Sequence, residues 1–260
     1  AGYNLLKNSK RFDWYVGGRT YTDFKNDLNL EARTAITYLD KNFEKPLHRF
    51  EQIHNFLYAN EGLSEQQVLE EIVKILFIKY YDEFNNENSF YITKDEFSNE
   101  NYKDFLKRIN NLYSKTKSQY IESFDQNDIL KLNSHSLSFV VDKLQNVNFI
   151  DSNKDANGLA FQKFLGRHAK DGRGQFFTPD PVIEFCTNII QPKPHEKIID
   201  PACWTGGFLI SALNFIKKNY EIENIIDYVK KNVSGIEINY KISQIVKIKF
   251  LLESNSDLDI

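Results

Sequence analysis

Between residues 197 and 252 the chain runs through a short apolar stretch, a glycine-bearing loop, an amphipathic segment, a second apolar stretch and a second amphipathic segment. Lys197-Ile198-Ile199 reads as a buried strand, and the loop Asp200-Pro201-Ala202-Cys203-Trp204-Thr205-Gly206-Gly207 follows it directly. Residues 208–216 suit a helix, 233–238 a second strand, and 242–252 a second helix with Ile242, Ile245, Val246, Phe250 and Leu251 as its apolar positions. Two strands separated by a helix pair in parallel, because a tight turn can join only antiparallel neighbours. This order is the start of a doubly wound parallel sheet.

Upstream the pattern is helical. Phe50, Ile53, Phe56 and Leu57 follow the 3.6-residue period over residues 50–59, and Asn60-Glu61-Gly62 supplies a stop. Ser64 and Gln67 have capping-box spacing, and Val68, Leu69, Ile72, Val73, Leu76 and Phe77 form one broad face, predicting a helix from Ser64 to about Tyr81. Residues 83–101 read as a loop excursion around Phe90-Tyr91-Ile92, and helices are predicted at 101–114 and 129–144. Near Asp151 the texture changes, since seven of the eleven glycines and five of the six prolines lie beyond it. The predicted organisation is α plus α/β: a helical domain over residues 1–150, then an unfinished sheet domain over 151–260, with the boundary between 145 and 160.

Composition excludes several classes. No apolar run reaches the ~18 residues of a membrane span, residues 1–11 lack a secretory signal, and a cytoplasmic location is expected. Cys186 and Cys203 are too few for a disulfide framework and lack zinc spacing, so they read as reduced core thiols. The five histidines are scattered and indicate no metal site. A net charge of −3 excludes a uniformly basic nucleic-acid coat but leaves room for a local basic surface. One such surface is the loop carrying Arg167, His168, Lys170 and Arg173, where phosphate contact and plain solvation both remain open. Another is the basic-aromatic mixture of Arg11, Trp14, Tyr15, Arg19, Tyr21 and Lys25.

In a doubly wound sheet the loop at the carboxyl end of the first strand is where nucleotide-like ligands bind. Glycines there let the backbone approach a ligand, and the following helix offers unpaired N–H groups. Gly235-Ile236-Glu237-Ile238-Asn239 places a carboxylate at the end of the second strand, where a ribose diol is commonly gripped. Taken singly, Asp-Pro, Gly-Gly and a post-strand Glu are ordinary loop features. The loop lacks Gly-X-Gly-X-X-Gly, which disfavours a dehydrogenase.

Together with Gly174-Gln175-Phe176-Phe177-Thr178-Pro179, these segments resemble the adenine-specific DNA methyltransferases found as modification subunits of type I restriction-modification systems and in related fused enzymes. The likeness is closest over residues 155–240, where Asp155 to Phe164 is similar to the family's lead-in helix, and looser upstream. It implies a Rossmann-like methyltransferase sheet, S-adenosylmethionine as cofactor, and DNA, a specificity subunit and a restriction subunit as partners. By resemblance Phe177, Thr178 and Pro179 lie along the cofactor, and Asp200, Ala202, Cys203, Thr205 and Gly206 surround its methionine half. Glu237 takes the ribose hydroxyls, whereas contact of Arg167, Lys170 and Arg173 with DNA is an expectation from their charge alone.

The chain departs from the family twice. Trp204 stands where the family has glycine, and a side chain in a left-handed conformation costs about 1–2 kcal/mol. The Asn/Asp-Pro-Pro-aromatic motif that holds the target amine is missing, since no Pro-Pro pair occurs, so no catalytic residue is assigned. With no methionine in its 260 residues, the chain is expected to be part of a longer polypeptide that ends before the family's fold does. The competing expectation is a catalytically silent, methyltransferase-like interaction or decoy protein.

Overall fold

The computed structural model describes the backbone of residues 31–125, 127–150, 154–168 and 178–260, with side chains from residue 46 onward except 154–157, 159, 166 and 167. The chain divides into one compact unit over residues 1–45 and a second over 46–260. Of the first, only the opening of helix α1 (Glu31–Asn60) is described. The second holds everything that follows.

Helix α2 (Glu65–Phe84) begins at the predicted capping box: Gln67 N–H donates to Ser64 Oγ at 3.3 Å and Ser64 N–H to Gln67 Oε1 at 2.9 Å. Its predicted apolar face is at most 4% exposed. The helix is buried on its other sides too, which places Glu71, Lys74, Lys79 and Asp82 out of solvent. Each is partnered. Asp82 Oδ1 accepts from the N–H groups of Ser89 and Phe90 at 2.7 and 3.0 Å, pinning the excursion after α2 with Phe90 and Ile92 inside.

That excursion, predicted to lack regular structure, contains the short helix α3 (Lys94–Ser98). Thr93 and Glu96 form a second capping box, the same signal as at Ser64 in a shorter segment. Helix α4 (Lys103–Gln119) outruns its predicted end, and a 3₁₀ turn spans Ile121–Ser123. Helix α5 (Ser134–Leu144) starts later than predicted, because Asn133 caps it by accepting from Ser136 N–H. Residues 129–131 instead give backbone groups to the buried Lys74 and Glu71.

Helix α6 (Lys154–His168) covers the expected lead-in helix and stacks Phe161 and Phe164 against Phe50 of α1, each with ring centroids 5.6 Å apart. At its end His168 Nε2 lies 2.9 Å from Glu51 Oε2 and the His168 ring 3.9 Å from that of His54. Burial, then the neighbouring His168, pushes the His54 imidazole below its ordinary value. The unfolded chain therefore takes up this proton first, so the group subtracts stability as pH falls below about 6.5 and has no effect well above it. Phenylalanine at 54 keeps the packing between Tyr58 and Phe164. The thermal midpoint of His54→Phe is expected to fall less between pH 7 and pH 5 than that of the parent chain.

Helix α7 (Asp180–Ile190) opens with Pro181 in its first turn, a placement that suits proline's missing N–H. It precedes strand β1 (Ile198–Asp200), helix α8 (Gly207–Asn219), helix α9 (Ile225–Asn232), strand β2 (Val233–Gly235) and helix α10 (Tyr240–Ser254). The strands pair in parallel as expected, with Ile198 opposite Val233 and Asp200 opposite Gly235. The far side of β2 is met by Asp259, bridged to Ser234 and accepting Gly235 N–H at 3.0 Å. The core around this sheet consists of Cys203, Leu209, Leu213, Ile216, Val229, Val246 and Phe250, among others. Helix α10 also packs on α2 and α6, which explains its burial on nearly every side. Among the described residues no helix is long and apolar enough to cross a membrane.

Candidate cofactor site

The loop after β1 is a built turn. Ala202 N–H donates to Asp200 Oδ1 at 3.1 Å, so the Asp200 carboxylate folds back over its own loop. Ile236 N–H donates to the Asp200 carbonyl at 2.9 Å and Cys203 N–H to the Ile236 carbonyl at 3.0 Å, joining the loop to the chain leaving β2. Trp204 and Gly206 both have positive φ, 45° and 71°. The tryptophan therefore carries the left-handed strain expected of it, and its side chain is half-buried.

Gly206 is required twice over. Its φ favours glycine, and a Cβ there would lie 2.7 Å from Val246 Cγ1 of α10. Gly206 also heads α8, accepting from Ile210 N–H, so the helix's first amides lie at the loop. Gly235 is hemmed in by the same loop, a Cβ there falling 2.8 Å from Cys203 Sγ.

Glu237 follows β2 and is half-buried, one carboxylate oxygen accepting Asn239 N–H at 2.7 Å. Asn239 in turn caps α10 through Lys241 N–H. Burial, then the nearby charges of Asp200 and Glu237, pushes the Cys203 thiol up to about 11. The two carboxylates expected at the cofactor thus both act electrostatically on one buried thiol. That thiol is inert packing at neutral pH, because only a thiolate is a strong nucleophile.

A cleft of about 650 Å³ opens between α7 and α8. Thr178 and Pro179, both exposed, line it with Asp180, Thr205, Gly207 and Lys249. Asp200, Ala202 and Glu237 do not. Of the residues expected at the cofactor, Thr178, Pro179 and Thr205 therefore line this cleft. Phe177, Lys170, Arg173, the Arg167 side chain and the basic-aromatic stretch of residues 11–25 lie outside the described residues.

Lys249 went unforeseen. It is 7% exposed, and its Nζ donates to the Thr205 carbonyl at 2.6 Å. The sequence carries one faint signal for it: Lys249 lies three residues after Val246, so the face of α10 that meets Gly206 also presents the lysine.

Residues 152–259, the segment carrying this loop and both strands, match the family model described as N-6 DNA Methylase. The chain is 35% identical over 109 residues to the type I restriction enzyme EcoEI methylase subunit of Escherichia coli, a match covering 40% of this chain and 22% of that protein. It is 27% identical over 177 residues to the EcoKI methylase subunit of E. coli K12, covering 60% and 32% respectively. The chain thus spans less than a third of the length of these curated relatives. Its fold resembles a chain from a structure of the type I R-M system, described as the structural basis of complex assembly and conformational transition. That likeness has a TM-score of 0.61 at 18% identity, covering 84% of this chain and 50% of the other. The recognised resemblance to type I modification subunits therefore holds in sequence and in fold.

Proposed function

We propose that this chain supplies the S-adenosylmethionine-binding part of a DNA adenine methyltransferase acting in a type I restriction-modification system, with DNA and the specificity and restriction subunits as partners. The observation that carries this reading is the loop from Asp200 to Gly206, turned by two positive φ angles and tied to the strand end that bears Glu237. The donor set fits the cofactor. Two half-buried carboxylates suit a cationic sulfonium and a ribose diol, and Gly206 lets the loop turn closely against Val246 of α10. When bound, S-adenosylmethionine supplies an electrophilic methyl group.

The chain's own residues bind and orient. Glu237 grips the diol as acceptor, Asp200 lies by the positive charge and shapes the loop through Ala202, and Cys203 is buried within the same loop. Phe177, Thr178 and Pro179 contact the cofactor, and Arg167, Lys170 and Arg173 neutralise DNA phosphate. The target adenine is reached by flipping it from the duplex. The domain division at residue 150 belongs to the same proposal.

Calorimetric titration with S-adenosylmethionine is expected to give saturable binding. Glu237→Gln is expected to weaken it by roughly tenfold or more, the ~1.5 kcal/mol of one hydrogen bond to a charged acceptor. Absence of binding by the parent chain overturns the reading and favours a silent interaction protein, which the Trp204 substitution supports.

A further inference from the structure

We infer that Lys249 is a positioning residue for the cofactor loop, its ammonium clasping the Thr205 carbonyl and thereby holding the turn from Trp204 to Gly206 in its left-handed geometry. The inference rests on the proposed reading only for the identity of the ligand; the clasp itself is a property of the loop.

The peptide unit between Thr205 and Gly206 is fixed at both ends. Its carbonyl accepts from Lys249 Nζ at 2.6 Å, and its N–H donates to the Cys203 carbonyl at 2.7 Å. It lies between the two residues of the loop with positive φ. A turn containing a non-glycine residue in this region relaxes unless neighbours over-determine it. Lys249 and Val246, one helical turn apart on α10, provide that constraint from outside the loop.

The lysine is held there against a desolvation penalty. An ammonium loses several kcal/mol on leaving water unless it is paired, and its close partner here is a neutral carbonyl. Burial is the largest influence and lowers Lys249 to about 8, against the raising effects of Asp180, Glu253 and Cys203. Glu253 is already engaged by Lys217 at 3.1 Å. Along the cleft Glu184 of α7, Lys163 of α6 and Lys218 of α8 add charges of both signs. Aliphatic packing alone would not call for a nitrogen at this depth. The charge strengthens one hydrogen bond at the loop, since ionised donors form bonds about twice as strong as neutral ones. Loss of the proton leaves a neutral amine and a loosened turn.

The loop carries its own reporter, because Trp204 is one of two tryptophans and the other, Trp14, can be replaced by phenylalanine. In the Trp14→Phe chain, Trp204 emission is expected to show one transition centred near pH 8 between pH 6.5 and 9.5, absent when Lys249→Met is added. Cys203, at about 11, titrates outside that window. S-adenosylmethionine affinity is expected to drop about tenfold at pH 7 in Lys249→Met, the equivalent of ~1.4 kcal/mol. The parent's affinity is expected to fall as pH rises through the same transition, whereas the variant's profile stays flat.

A Trp204 signal without a transition in the Trp14→Phe chain overturns the inference, whether or not Lys249→Met folds. So does a transition that persists in a folded Lys249→Met chain. Should the parent fail to bind S-adenosylmethionine, the proposed function falls, while the Trp204 titration still decides the clasp.

Discussion

Alanine at position 206 is expected to destabilise the chain by about 2–5 kcal/mol and to eliminate S-adenosylmethionine binding. Two independent penalties add. A Cβ at φ 71° costs about 1–2 kcal/mol because it approaches the following carbonyl oxygen. The same Cβ would stand 2.7 Å from Val246 Cγ1, and forcing an extra carbon into a packed site costs about 1–3 kcal/mol. Urea unfolding of Gly206→Ala, Val246→Ala and the double variant separates them. The double variant is expected to recover the steric part but not the conformational part, so the two single changes should couple by about 1 kcal/mol or more. Strict additivity would show that Val246 does not wall the loop.

The second large effect lies on α2. Lys74 Nζ lies 2.9 Å from Glu71 Oε1, 2.9 Å from Asp128 Oδ1 and 2.8 Å from the Ile129 carbonyl, with Lys74 and Glu71 each 1% exposed. Burial pulls this ammonium's pKa down, but the hydrogen bonds of Asp128 and Glu71 outweigh it and hold the group above its ordinary value. Its contribution is thus complete at neutral pH and is lost only as pH climbs past the usual lysine range. Lys74→Met leaves Glu71 and Asp128 without their shared cation and is expected to cost about 3–5 kcal/mol. Lys74→Met combined with Glu71→Met is expected to cost less than the sum of the single changes, because a buried pair removed together leaves fewer orphaned charges. Denaturant midpoints at pH 7 measure all three.

Local signals carried most of what was legible beforehand. Ser64 announced α2 through its capping box, and the strand, loop and helix order from Lys197 to Leu252 foretold the parallel pair and both flanking helices. Thr93-x-x-Glu96 carried the same chemistry as Ser64 but heads only five residues, too few for periodicity to register. Helix α9 hid for the same reason, its Asn224 cap preceding eight residues. Helix α7 was masked by the prolines around it, although Pro181 sits where a helix accepts one. At the site, Asp200, the glycines and Glu237 were readable because strand ends position them through the backbone. Lys249 and Lys74 were not, since a lysine on a helix is ordinarily solvated and only tertiary packing decides otherwise.

Helix α10 has a further consequence for how this sequence can vary. One side of it presents Val246 and Lys249 to the loop, while Gln244 reaches the Ser123 carbonyl and Lys247 reaches Glu122 at 3.3 Å. Each residue advances the helix by about 100°, so inserting or deleting a single residue before Gln244 would rotate all four side chains away from their partners at once. A point substitution on this helix removes one of these contacts, as Lys249→Met does at the loop. A change of length removes all four together, so α10 should tolerate insertions and deletions poorly.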